Sequence, residues 1–163
     1  MEAWLRGPVP GVPPLLQPVA HMLLHAQDDA RAALDGLTPD QIWRRPGAGA
    51  SIGYHARHLV GALDRLLTYA AGDALDARQL AYLKSESEPG DPPPDAPALV
   101  AELDAAIARG IGVLGETSDD TLLDSRAVGR KQIPTTVVGL LVHAGEHSAR
   151  HAGQMITTRR TLS

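Results

Sequence analysis

The chain has 163 residues, a formal net charge of −4 and no cysteine. This length favours a single domain spanning residues 1–163 with a sizeable core. The lack of cysteine excludes disulfides, thiolate metal sites and cysteine nucleophiles, and the acidic balance without any basic run argues against a nucleic-acid surface. No stretch approaches the roughly 20 apolar residues that span a membrane, and the proline-interrupted start lacks a signal peptide's apolar segment. We therefore expect a cytoplasmic protein that binds neither nucleic acid nor a membrane.

The first half of the chain predicts two long helices. Residues 1–13 are expected to be an extended N-terminal segment, after which apolar residues recur at near-helical spacing over residues 14–37. A short turn around Ile42 and Trp43 follows. The second long helix should begin near Ser51, a suitable N-cap, and end about Ala71, where Gly72 can terminate it.

The second half predicts two more long helices, separated by long connections. A short helix over residues 76–84 and a connection over residues 86–97 with five prolines lead to a third helix over about residues 98–114. After a polar connection over residues 116–133, Pro134 suits the first turn of the fourth helix. Four long helices with one or two extended crossings predict an all-α fold, a four-helix bundle with long crossover connections.

All the histidines occur in three groups at helical spacing. Side chains three or four residues apart share one face of a helix, and a neutral imidazole is a common metal ligand. In the last group, two histidines four residues apart lie in line with core-directed residues, an arrangement that can bind one metal ion. His58 is the natural third ligand from another helix, although His55, one turn earlier, could compete for that role. The groups are His21 and His25; His55 and His58; His143, His147 and His151.

Two short motifs and one further segment resemble the DinB/YfiT-like family, which is unrelated to the DNA polymerase of similar name. They read S-I-G-Y-H-A-R-H-L from Ser51 to Leu59, L-L-V-H-A-G-E-H-S-A-R-H-A-G-Q from Leu140 to Gln154, and G-L-T-P-D-Q-I-W from Gly36 to Trp43. The resemblance implies a four-helix bundle, commonly a homodimer, with one divalent metal ion held by three histidines. Carried over residue by residue, the ligands are His58, His147 and His151. The family's motifs assign no metal role to His21, His25, His55 or His143.

Three histidine ligands would leave at least one coordination position open, as in catalytic metal sites. A metal ion can deprotonate a bound thiol, which must come from a substrate or cofactor because the chain has no cysteine. The resemblance implies a thiol S-transferase-like enzyme that uses a low-molecular-weight thiol such as glutathione, mycothiol or bacillithiol on a small electrophile. Imidazole ligands suit zinc, nickel and iron alike, so the sequence does not choose the metal.

Two alternatives remain open for the same site. A metal-dependent hydrolase would use bound hydroxide and needs an acid or base that the sequence does not identify. A non-catalytic metal-binding or stress-response protein would only store or sense the ion. Arg57, Arg150 and Glu146 adjoin the proposed ligands, but helical geometry turns them roughly 100° away. This offset argues against direct contact, favours solvated arginines and assigns Glu146 no role as a general base. His143 could lie beside the site or at the edge of the core, and His21 with His25 favours a polar stripe over an accessory metal pair.

Overall fold

The computed structural model describes residues 1–162. Four long helices, α1, α3, α5 and α6, form the body of the fold, with α1 and α3 packed against both α5 and α6. The predicted all-α class is confirmed, with a single small antiparallel hairpin in the described part of the chain. The elements in order are α1 (Gln17–Leu34), α2 (Pro39–Trp43), α3 (Ile52–Ala71), α4 (Ala77–Ser85), α5 (Ala96–Glu116), β1 (Ser125–Val128), β2 (Ile133–Thr136) and α6 (Val137–Arg160).

The boundaries of α3 follow from local chemistry, as the sequence predicts. The Ser51 side chain accepts a hydrogen bond from the backbone N–H of Tyr54, which satisfies one of the free amides of the first turn. Gly72 ends the helix in the left-handed conformation, with φ of 89°. Helix α3 is therefore fixed at both ends, and His55 and His58 lie in its first two turns.

The core between the four helices is aliphatic. Burying such a side chain stabilises the fold by about 1.5–3 kcal/mol relative to leaving it exposed. Alanines fill the closest approaches between helices, among them Ala26 and Ala30 of α1 and Ala152 of α6, each fully buried. The largest fully buried side chains are Leu16, Leu23, Leu34, Ile42, Ile52, Leu59, Leu63, Leu99, Leu103, Ile107, Leu114 and Leu141.

The connection before α6 differs from the sequence prediction. Part of the polar stretch predicted over residues 116–133 forms a β-hairpin, in which Ser125 pairs with Thr136 and Val128 with Ile133. Pro134 lies in β2 and not in the first turn of a helix, so that prediction is wrong. Helix α6 begins at Val137 instead, because the Thr136 side chain accepts from the backbone N–H of Gly139 and caps it. Strands of four residues carry too little periodicity to be recognised in the sequence.

The N-terminal residues are tied to α1. Ala3–Arg6 form a turn of 3-10 helix within the segment predicted to be extended, and Ala3 is buried. Arg6 pairs with Asp28 of α1, and the Gln17 side chain bonds to the backbone of Val9. Within residues 1–162, no helix is both long enough and apolar enough to cross a membrane.

Candidate metal centre

Three histidines from two helices converge on one point. His58 lies in the second turn of α3, while His147 and His151 are one turn apart on α6, which packs along α3. Each offers one ring nitrogen, and the three nitrogens lie within 4.8 Å of one another. His58 Nε2 and His147 Nε2 are 3.0 Å apart, and the His151 ring lies 4.5 Å, centroid to centroid, from each of the other two. The structure thus brings together the three residues predicted as ligands.

This arrangement fits a divalent metal ion. Two nitrogens bound at the usual zinc–nitrogen distance in a tetrahedral site lie about 3.3 Å apart, close to the spacing between His58 and His147. Three imidazoles are a donor set that zinc, nickel and iron all accept. His151 offers a third ring nitrogen within 4.8 Å of the other two. The cluster is compatible with metal binding.

His58 is oriented by a carboxylate that sequence reasoning missed. His58 Nδ1 donates to Glu86 Oε1 at 2.5 Å, and the Glu86 side chain is almost fully buried. The other carboxylate oxygen accepts from Arg65 Nη1 at 3.2 Å. A proton held on Nδ1 leaves the lone pair of Nε2 free to face the other two histidines. This is the arrangement by which outer carboxylates orient histidine ligands in metal sites.

Glu86 reaches the histidines because the connection after α4 is anchored to α3 and α2. Arg57 donates from Nη1 to the carbonyl oxygens of Ser85 and Glu88, at 3.0 and 2.5 Å. Trp43 donates from Nε1 to the Pro94 carbonyl at 3.1 Å. Arg57 therefore binds backbone and is not simply solvated. No spacing in the sequence relates Glu86 to a histidine, since the contact depends on how the connection folds back.

His151 is supported by a second histidine. His151 Nδ1 and His55 Nδ1 are 3.0 Å apart, and both side chains are buried. His55 is thus a neighbour of the cluster and does not replace His58 in it. Burial, reinforced by the charge of the nearby His58, lowers the pKa of His55.

Burial lowers the pKa values of His147 and His151 well below neutral pH. It is the main cause that lowers the pKa of His147 to about 4, and the nearby His58 lowers it further. The pKa of His151 falls to about 3 for the same two reasons, with His147 and His55 adding to the effect. Both rings therefore carry a free nitrogen lone pair at pH 7, which metal ligation requires.

Arg150 lies closer to the cluster than the helical geometry predicts. Arg150 donates from Nη2 to His147 Nδ1 at 3.2 Å and pairs with Glu146 at 3.0 Å. Arg150 is exposed to solvent, as expected, but it also contacts His147, because residues three apart on a helix are neighbours even when adjacent ones diverge. If His147 binds an ion through Nε2, its Nδ1 carries the proton and Arg150 must turn away. That movement is cheap, because half of the Arg150 side chain is exposed.

A cavity of about 190 Å³ opens beside the cluster. His58, His147 and His143 line it, so His143 faces the site and not the core. His143 Nδ1 lies 3.2 Å from Glu146 Oε2. The pair on α1 lies elsewhere: His21 bonds to the carbonyl of Gly7 at 3.0 Å, and His25 pairs with Asp29 at 3.3 Å.

The fold and the cluster define a four-helix bundle with a potential three-histidine metal centre on two adjacent helices. The family model described as the DinB superfamily matches residues 22–155, and the chain belongs to that superfamily. None of the curated proteins matches the chain.

Two solved structures are similar to this one over most of its length. A conserved protein from Enterococcus faecalis is 20% identical, with a TM-score of 0.71 covering 91% of this chain and 96% of that one. A DinB-like protein from Bacillus cereus ATCC 10987 is 18% identical, with a TM-score of 0.63 covering 86% of this chain and 90% of the other. At these identities the likeness shows the shared fold.

Proposed function

We propose that the chain binds one divalent metal ion, zinc, nickel or iron, through His58, His147 and His151. With this ion as cofactor, it acts as a thiol S-transferase-like enzyme, which joins a low-molecular-weight thiol to a small electrophile. The observation that carries the proposal is the convergence of three histidine side chains, two of which, His58 and His147, line a cavity. Ligands on the rigid helices α3 and α6 favour a preorganised site.

The surroundings of the cluster suit a small-molecule substrate. Ala62, Leu66 and Tyr69 follow His58 along one face of α3 and line the 190 Å³ cavity. Tyr69 also lines a second cavity of about 920 Å³, bounded by α4 and the hairpin, so the two cavities adjoin. A divalent ion would lower the pKa of a thiol bound at its open position, which generates the nucleophile at neutral pH. Because the chain has no cysteine, that sulfur must belong to the substrate.

Metal content and thiol dependence test this proposal. Protein purified without a nickel column should contain about one divalent ion per chain, and His151→Ala should lose it. The metal-loaded protein should consume a chromogenic electrophile only when a thiol such as glutathione is present. A protein that binds metal but shows no turnover with any thiol would support the storage or sensing alternative. A wild-type chain without metal affinity would overturn the site itself.

A metal-dependent hydrolase is the second candidate, and one contact favours it. His143 lines the same cavity, and its Nδ1 lies 3.2 Å from the Glu146 carboxylate, the arrangement of a base oriented by an acid. Such a pair could accept a proton from water attacking a substrate. Hydrolysis of an activated ester without thiol, lost in His143→Gln but retained in His25→Gln, would favour this candidate over the transferase.

The homodimer also remains a proposal. The exposed Trp4 lies beside Met22 and Ala149 around a shallow apolar cavity of about 490 Å³. Val142 lies two turns before Ala149 on α6 and is also exposed. An apolar patch of this kind supports association with a second copy. Light scattering should give twice the chain mass of 17.2 kDa, and Trp4→Glu should shift it towards the monomer.

A further inference from the structure

A buried carboxylate links the histidine cluster to a buried cation. Glu86 follows α4 and is 4% exposed, while Arg65 of α3 is 9% exposed. His58 and Arg65 lie seven residues apart on α3, about two turns, so both face the same side of the helix. One oxygen of Glu86 accepts from His58 and the other from Arg65.

We propose that Glu86 is a positioning residue of the metal centre, held in place by Arg65, and that it sets the affinity of the site through His58. The inference rests on the proposed metal binding by His58, His147 and His151. Glu86 touches no reacting atom, because it binds Nδ1 of His58, the nitrogen turned away from the cluster. It acts by fixing which nitrogen carries the proton and how the ring is turned.

The hydrogen bond between His58 and Glu86 affects both the electronic properties and the orientation of the imidazole ring. A carboxylate that accepts a hydrogen bond from Nδ1–H increases the basicity of the imidazole, so that Nε2 binds a metal ion more strongly. It also restricts the rotation of the ring. Arg65 holds the second oxygen, so the carboxylate cannot turn its free edge toward a metal ion. Since a buried carboxylate without partners is costly, the two contacts together hold the Glu86 side chain in place.

The packing of α4 against α3 preserves this geometry. A Cβ atom at Gly61 would lie 2.8 Å from both Arg65 Nη1 and the Tyr82 ring of α4, so only glycine permits this approach. The Arg57 guanidinium lies over the same Tyr82 ring, 5.2 Å from its centroid, and binds the backbone on both sides of Glu86. The position of Glu86 is therefore determined by the packing of α4 on α3 and by the hydrogen bonds from Arg57 to the backbone before and after Glu86.

Glu86→Gln tests the proposal, because it keeps the shape of the side chain and removes its charge. Glu88→Gln is the matched control, because Glu88 lies two residues further along the same connection. Its side chain is exposed and accepts a hydrogen bond from the hydroxyl of the adjacent Ser87. The affinity for Zn²⁺ or Co²⁺ is measured by chelator competition, the coordination by the Co²⁺ absorption spectrum, and the stability of the metal-free protein by urea unfolding.

We expect Glu86→Gln to bind either ion about 10- to 100-fold more weakly, with a changed Co²⁺ spectrum, and Glu88→Gln to match the wild type. An unchanged affinity in folded Glu86→Gln, with or without lower stability, would mean that Glu86 is only structural. If Glu86→Gln does not fold, a double variant that combines Glu86→Gln with Arg65→Met replaces both partners of the buried pair. The proposal then requires this double variant to bind the metal ion about 10- to 100-fold more weakly than the wild type. A wild-type protein without metal affinity would instead refute the proposed function.

Discussion

Replacing Gly53 with alanine should destabilise the fold through a contact at the start of α3. A Cβ atom there would lie 2.7–2.8 Å from three atoms of the Trp43 ring. Carbon atoms in contact are normally about 3.5–4.0 Å apart, so the ring must move by roughly 1 Å. Such a shift strains or breaks the Trp43 hydrogen bond to Pro94, which anchors the connection that carries Glu86.

The expected cost follows from these contacts. Overpacking of a fitted site costs about 1–3 kcal/mol. Loss of the hydrogen bond adds about 1 kcal/mol, and the better helix propensity of alanine returns at most about 1 kcal/mol. We expect a net loss of about 1–3 kcal/mol in the free energy of unfolding, which lowers the Tm of a chain of this size by about 2–12 °C.

Urea unfolding of the metal-free protein measures this loss, with Gly112→Ala as the matched control. Gly112 lies in α5, and a Cβ atom there would meet nothing within 4 Å. Gly112→Ala should therefore gain up to about 1 kcal/mol. If Gly53→Ala were as stable as the wild type, the close packing of Trp43 on Gly53 would not require glycine at this position.

Three further predictions concern the cluster. His147→Ala should lower metal affinity at least 100-fold in a chelator titration, so that metal at 100 times the wild-type Kd no longer adds about 2.7 kcal/mol of stability; His25→Ala should leave the affinity unchanged. Arg150→Met should strengthen metal binding several-fold, because it removes a positive charge and a donor aimed at the ligand; weaker binding would assign Arg150 a supporting role. Without metal, stability should fall as the pH drops from about 6.5 to about 4, because unfolded histidine gains a proton near pH 6.5 and His147 in the fold does so only near pH 4. His147→Gln should flatten this part of the curve of unfolding free energy against pH, and an unchanged curve would contradict the lowered pKa.

The sequence predicts those features of the fold and the candidate site that depend on residues close together in the chain. The cap at Ser51 and the stop at Gly72 depend on nearest neighbours, and both are confirmed. His147 and His151 share a helix face by spacing alone, and the structure places them together with His58. Whether they bind metal stays a prediction.

The features that the sequence does not predict depend on long-range contacts or on short elements. Glu86 lies in a proline-rich connection, and only the folding of that segment against α3 brings it to His58. The hairpin around Pro134 has strands too short to carry a pattern. The angle between Arg150 and the adjacent His151 does not predict its contact with His147, three residues away.

The placement of the three clustered histidines on two helices has a consequence for folding if they bind an ion. His58 and His147 are 89 residues apart in the chain, so an ion shared between them would act as a reversible cross-link closing a long loop. Such a clip stabilises mainly by restricting the unfolded chain, and the gain rises with loop length. Metal loading should thus slow amide exchange most where α3 meets α6, and the supply of metal would then set how long the fold survives.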